Sequence, residues 1–365
     1  MSVRHSYLLT KSVQGRTPMS ITTSITTKRV TLASLLPALT FCSFAAIAQD
    51  SEPKIGLYGR LHVSADYLND GSDGGLNVSS NSSRLGLTLD YKVADNLTLI
   101  GQIERGIDLS EGSSTITARN TFLGVKGDWG TLRAGYYDTP VKRIINAVEQ
   151  FRDQIGEGRN ISRSGEMHFD KRFKSGLHYT TPTWQNLTLM VHYGTHELTG
   201  ATVDNEHDAV SSSLTYQRGE WTALIGYESQ SRPTEPNLEA MRAALIRKSG
   251  AWSHALFYQH ADGMATGSQE VFGFTTSYAL NSEYSLKGQV FHRTADETGE
   301  LDSTMITVGI DRKLNAKVNA YLTFSHTDNA VLSTANVSAG GHGKTMTIEP
   351  GQDPFAVAVG LRWNF

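Results

Sequence analysis

The sequence predicts an all-β fold, a transmembrane antiparallel barrel of sixteen strands. Three observations carry that expectation. Apolar residues recur at every second position through most of the chain, the period of a strand whose two faces meet different surroundings. The connections between these segments alternate between short and long. In 355–365, Phe355, Val357, Val359, Leu361, Trp363 and Phe365 make one apolar face opposite Ala356, Ala358, Gly360, Arg362 and Asn364. A strand with lipid on one side and water on the other needs that pattern.

The N-terminal stretch reads as an address. Lys28 and Arg29 precede an apolar run from Val30 to Ile47 that ends Ala46-Ile47-Ala48, the layout of a secretory signal peptide over 1–48. Met19 would give a signal of ordinary length, so the real start falls there on this reading. The single cysteine, Cys42, lies in the discarded part. The mature chain then has no disulfide, thiolate metal site or thiol nucleophile. Residues 1–48 hold five basic and no acidic residues, so their removal takes the formal charge from −3 to −8. An acidic exported chain is a poor nucleic-acid binder.

The barrel is expected over 49–365. Its strands are 54–68, 82–91, 97–108, 115–127, 131–137, 173–181, 187–195, 209–218, 221–230, 239–248, 251–261, 270–280, 284–294, 304–313, 317–327 and the terminal segment. Segment 239–248 also suits a helix, because Met241-Arg242-Ala243-Ala244-Leu245 lacks β-branched residues. Tight connections such as 93–96, 127–130 and 218–220 alternate with polar ones such as 69–80, 196–208 and 328–354. Short periplasmic turns at one rim and long extracellular loops at the other suit an up-and-down barrel. An open sheet would leave unpaired backbone groups in lipid, so the first strand pairs with the last. Trp129, Trp184, Trp221, Trp252 and Trp363 fall near strand ends, as interfacial girdles do.

One connection, 138–170, is far longer than its neighbours, and such loops are usually functional. Within it Val141, Ile144, Ile145 and Val148 have the spacing of a short amphipathic helix. Arg60, Arg84, Arg119, Arg133, Arg172, Lys174 and Arg362 are assigned to faces opposite the apolar stripe. A guanidinium facing mid-bilayer lipid costs about 2–4 kcal/mol, and seven unpaired charges cannot fill a dry core. A wet lumen follows, with either a narrowed channel or mere packing against strand acids such as Asp66, Asp90 and Glu104.

Leu57-Tyr58-Gly59-Arg60, Ser83-Arg84-Leu85-Gly86, Arg119-Asn120-Thr121-Phe122-Leu123-Gly124-Val125-Lys126-Gly127-Asp128-Trp129-Gly130 and the terminal Phe365 resemble, in that order, the Gram-negative general diffusion porins. The resemblance implies a homotrimer of sixteen-stranded outer-membrane barrels, each with its third loop folded into the lumen. It places Arg60, Arg84, Arg119 and Arg172 in a basic wall, with Arg133, Lys174 and Arg362 as further lumenal bases. Glu149, Asp153 and Glu157 of the third loop would face that wall. Phe365 resembles the family's signal to the barrel-assembly machinery. The sequence departs from the family pattern at Gly135-Tyr136-Tyr137, where many members carry a basic residue after the glycine.

Passive diffusion of small hydrophilic solutes and ions through a water-filled channel is the implied function, in contact with outer-membrane lipid and lipopolysaccharide. A substrate-preferring channel and a barrel hydrolase are the alternatives. Catalysis has little to stand on: His254, His260, His292 and His326 sit in different strands. His192 and His196 lie at a strand end, where four residues do not converge. No Gly-x-Ser-x-Gly elbow is present. No cofactor or metal is expected. The acidic chain favours cations at the mouths and the arginine wall favours anions at the neck, so selectivity stays open at this level.

Overall fold

A computed structural model of the chain describes residues 52–112, 116–195, 206–295 and 298–365. The segment 1–48 expected to be a signal peptide, with Met19 and Cys42, and His196 lie outside the described residues. In chain order the elements are β1 (Lys54–Asn69), β2 (Gly74–Ser80), β3 (Arg84–Ala94), β4 (Leu97–Gly106), β5 (Thr117–Gly127) and β6 (Gly130–Asp138). Two helices follow, α1 (Pro140–Val148) and α2 (Arg159–Ser162). Then come β7 (Arg172–Thr180), β8 (Leu187–Gly194), β9 (Ala209–Arg218), β10 (Trp221–Gln230), β11 (Leu238–Ser249), β12 (Trp252–Asp262) and β13 (Gln269–Ala279). The last four are β14 (Tyr284–Thr294), β15 (Ser303–Lys313), β16 (Val318–Asn329) and β17 (Phe355–Asn364).

Each strand pairs antiparallel with its sequence neighbours, except that β2 and β3 both pair with β1, and β17 closes the ring on β1 from Arg60 opposite Asn364 to Asn69 opposite Phe355. The 17 segments make a sixteen-stranded barrel because β2 and β3 share one position. Ser80 to Gly74 pair with the upper half of β1, and Arg84 to Asp90 with its lower half. The break at 81–83 turns on Ser82, whose φ is +51°.

The barrel differs from the sequence expectation here. Residues 74–80, expected in a long loop, form a strand that aims Leu76 and Val78 outward. Their alternation is diluted by Gly, Asn and Ser, which weaken a strand signal without abolishing it. The first connection of that rim is thus only 70–73. Segment β11 is a strand over its full length, with long-range pairing to β10 and β12 overriding its helical composition.

The other connections keep their alternation: 95–96, 128–129, 219–220 and 250–251 are two-residue turns, while 139–171 and 330–354 stand at the opposite rim. All five tryptophans are exposed on the outside near the short-turn rim. Leu85, Leu123, Leu256, Ile306, Val359 and Leu361 give the outer wall its apolar belt. In β17 the inward Ala356 and Ala358 are buried, so the two faces of that strand divide as the period of two requires. At its end Phe365 exchanges backbone hydrogen bonds with Gly59, 3.0 and 3.1 Å. A Cβ on Gly59 would lie 2.4 Å from the Phe365 ring, so only glycine lets the seam close this tightly.

Candidate functional site

The connection 139–171 folds into the lumen and packs on one half of its wall. Thr139 caps α1 by accepting from the Lys142 amide at 3.3 Å, and Pro140 occupies the first turn, where no N–H is needed. The helix buries Val141, Ile144, Ile145 and Val148 completely. They meet Ala240, Ala244 and Ile246 of β11, Ala255 and Phe257 of β12, Val271 of β13 and Phe291 of β14. Each such side chain contributes about 1.5–3 kcal/mol on burial. A wholly wet interior is therefore not what forms: the loop covers a stretch of wall on β11 to β14 that presents apolar residues among polar ones. The signal for this was present in the small and apolar residues at alternate positions of β11 and β12, set against equally apolar outward residues.

Polar anchors fix the register of the loop. Arg242, fully buried on β11, donates to the Val141 carbonyl at 3.2 Å, to Gln259 at 2.7 Å and to the Asp170 carboxylate, joining both ends of the loop. Lys287 donates to the Gln150 carbonyl at 3.0 Å, and Thr275 to that of Val148 at 2.8 Å. Gly156 is held hardest. Its carbonyl accepts from Gln289 at 2.7 Å and Thr307 at 2.9 Å. Its φ is +65°, and a Cβ there would lie 2.3 Å from the Thr307 hydroxyl. Gly156→Ala should therefore push the loop tip off the wall and destabilise the fold by about 1–3 kcal/mol. A lowered midpoint in thermal unfolding followed by circular dichroism checks this, and an unchanged midpoint refutes it.

The free edge of the loop faces the opposite wall. Asp153, with φ +61°, presents its carboxylate to Arg60 at 2.8 Å, Arg84 at 4.0 Å and Arg159 at 3.5 Å. Aspartate is one of the few non-glycine residues that adopt this conformation readily. Burial would raise the Asp153 pKa, but Arg159, Arg84, Arg152 and Arg60 outweigh it and hold the group below the usual carboxylate range. Arg119 pairs with Glu104 of β4 at 2.7 Å, and Arg84 also approaches Glu104 at 3.7 Å. A bulge brings Arg119 there. Three residue steps on β5, Thr121 to Ala118, oppose two on β4, Ile103 to Arg105, which re-aims the side chain inward. Strict alternation from Leu123 and Val125 would have sent it to the lipid face.

Other sequence-selected residues go elsewhere. Arg172 joins Asp138 at 3.1 Å and Asn120 at 2.9 Å at the root of the loop, beside Lys142. Burial pushes the Lys142 ammonium down to about 8 although Asp138 lies 2.7 Å away. Arg133 lies over the rings of Phe122 and Tyr137, at 5.4 and 5.1 Å, in the place where Gly135-Tyr136-Tyr137 departs from the family pattern. Lys174 sits on β7 beside the kink at Ser175 and is partly buried. Arg362 stands opposite His62 across the seam.

Two of the three loop acids do not take the expected place. Glu149 accepts from the backbone of Phe151 at 2.9 Å and of Gly158 at 2.6 Å, and burial raises its pKa. Glu157 binds Arg159 and the amides of Asp153 at 2.9 Å and Gly341 at 3.1 Å. Both brace the loop internally, because an inward-folded chain must satisfy its own buried amides. Asp66 and Asp90 do not neutralise the wall: Asp66 bonds His342 at 3.1 Å, and Asp90 is exposed. Arg152 and Arg159, on the loop itself, join the wall arginines around Asp153.

A family model described as Gram-negative porin matches residues 32–331. The chain belongs to the Gram-negative porin family. Among curated relatives, this porin is 22% identical to the major outer membrane protein P.IB of Neisseria gonorrhoeae over 234 residues, 61% of this chain and 66% of that protein. A second P.IB from the same species is matched over 55% of its length, so the chain spans under two thirds of these two relatives. A 76-residue stretch is 32% identical to a chitoporin of Vibrio furnissii and covers 19% of this chain and 21% of that one. Among solved structures, an anion-selective porin from Comamonas acidovorans has a TM-score of 0.73 at 19% identity, covering 86% of this chain and all of the other. The trimer form of OmpT from Vibrio cholerae has a TM-score of 0.66 at 17% identity, again over 86% and 100%. This porin is an outer-membrane protein of the same barrel architecture.

Proposed function

We propose that this porin forms a water-filled channel for passive diffusion of small hydrophilic solutes and ions, and that it favours anions at its neck. One observation carries the selectivity. Arg60, Arg84, Arg119, Arg152 and Arg362 gather about the gap against the carboxylates of Glu104 and Asp153, while Arg159 is paired with the buried Glu157. The uncompensated positive charge lowers the barrier for anions, and fixed opposite charges across a narrow gap reject large apolar solutes that lose hydration there.

In this reading three copies assemble in the outer membrane, in contact with lipid and lipopolysaccharide. The segment 1–48 is removed on export, and Phe365 serves the barrel-assembly machinery as its recognition end. The test is swelling of liposomes containing the purified protein. Rates that fall with solute size are expected, and the absence of size-dependent swelling rejects the reading. Arg84→Ala and Arg119→Ala should each shift the reversal potential in a salt gradient toward cations. Unchanged potentials would mean that Glu104 and Asp153 already neutralise these groups.

A further inference from the structure

We infer that the connection 330–354 is a second constriction element: a strap that locks the inward loop from the β1 side and confines permeation to the side lined by β3, β4 and β5. This rests on the channel reading above. The strap bonds the loop along its backbone. The Gly156 amide donates to the Val337 carbonyl at 2.6 Å, the Ala339 amide to Asn160 at 3.2 Å and the Gly341 amide to Glu157 at 3.1 Å. It then crosses to the barrel wall. His342 meets Asp66 of β1 at 3.1 Å, the Gly343 amide donates to Asn81 at 2.9 Å, and Ser82 donates to the Gly341 carbonyl at 2.9 Å. Gly341 is required at this crossing, since a Cβ there would lie 2.3 Å from the Asp153 carboxylate and 2.8 Å from the Arg159 guanidinium. The strap backbone is thus the back support of the acid that Arg60 and Arg84 face.

The two sides of the lumen differ accordingly. Next to the strap, inward residues of β1, β2, β16 and β17 are sealed: His62, Ser64, Asp66, Ser79, Ser325 and Ala356 are buried, whereas Arg60 and Arg362, nearer the short-turn rim, stay partly exposed to the gap. Ile155 of the loop and Val337 of the strap pack with Tyr321, Ala356 and Ala358 in one small apolar cluster. On the other side, Thr88 and Gln102 are partly exposed. A polar recess of about 340 Å³ opens there, bounded by Arg119, Thr117 and Asp108 on the wall and by Gly340 to Gly343 on the strap. Polar residues buried by a strap on one wall, and a polar recess along the other, leave one route for water.

Single cysteines test the confinement on the trimer of the chain 49–365, which has no native cysteine because Cys42 lies in 1–48. With a small water-soluble thiol reagent added to channels in a planar bilayer, Gln102→Cys should be modified and its current reduced. Ser64→Cys should stay unmodified. Shortening the strap by replacing 336–344 with Gly-Ser-Gly should expose Ser64→Cys to the reagent. It should also raise conductance roughly twofold, as a second route of similar width opens in parallel. The same Gly-Ser-Gly replacement of the rim connection 231–237 should leave conductance unchanged. Equal modification of Ser64→Cys and Gln102→Cys in the intact protein overturns the inference, as does unchanged conductance of a folded strap variant. Should the unmodified protein pass no ions, the channel reading fails instead, while labelling of the two cysteines in liposomes still decides whether the strap seals its side.

Discussion

Asp153→Asn is expected to make the channel more strongly anion-selective. The substitution keeps shape and polarity but removes the carboxylate charge that Arg60, Arg84 and Arg159 share. A unit charge about 8 Å from a permeating ion, at an effective dielectric of about 40, is worth about 1 kcal/mol. The lost charge repelled an anion and attracted a cation by that amount, so their difference changes by about 2 kcal/mol, up to roughly a thirtyfold rise in the anion-to-cation permeability ratio, read as a shift of reversal potential in a potassium chloride gradient. Asparagine also tolerates the left-handed backbone that residue 153 adopts, so the loop should keep its place. The companion change Glu104→Gln should act in the same direction, because that acid offsets Arg119 and Arg84. A ratio that stays constant, or falls, in both variants would show that permeating ions do not sense these carboxylates.

Arg242→Ala should release the loop while leaving the barrel closed. It strips the buried Asp170 of its cation and frees the Val141 carbonyl and Gln259 at once. Breaking a buried ion pair from one side costs about 3–5 kcal/mol, comparable with the burial of two apolar residues of α1. The expected result is protease cleavage within 139–171 and larger, noisier single-channel currents, with the β-sheet signal in circular dichroism retained. Arg242→Met combined with Asp170→Asn should recover much of the loss, since an apolar side chain and a neutral amide leave no buried charge. A cleavage pattern identical to the parent protein in the single variant would place the anchor elsewhere.

The barrel was legible because its signal is repeated at every strand and the two faces differ in chemistry. Where one strand weakens, as at Leu76-Asn77-Val78, local composition misleads and the partner decides. The candidate site was legible in part. Arginines on an inward face can be read from alternation, and Arg60 and Arg84 follow it. Arg119 depends on a bulge, which no period of two contains. Arg242 lies in a run of small apolar residues and shows its purpose only once both loop ends reach it. Spacing alone does not tell the three loop acids apart, and the ion pairs with Arg60 and Arg84 fall to Asp153. The strap was hidden for another reason. Its contacts are made by backbone amides of a glycine-rich stretch, and such a stretch reads in one dimension as a plain surface loop.

The seam where Phe365 meets Gly59 also orders events during folding. Every other ladder joins segments close in sequence, but β1 and β17 lie about as far apart as the described chain allows. Loop-closure entropy makes such a contact slow to form. Until β17 arrives, the outer edges of β1 and β16 are bare strands open to pairing with other chains. Completion of the ring is then the step in which both edges vanish together, and a chain shortened at residue 365 would remain in the edge-exposed state for longer. The last residues therefore set how long the unfinished barrel is exposed to aggregation, a kinetic role separate from anything they do in the finished pore.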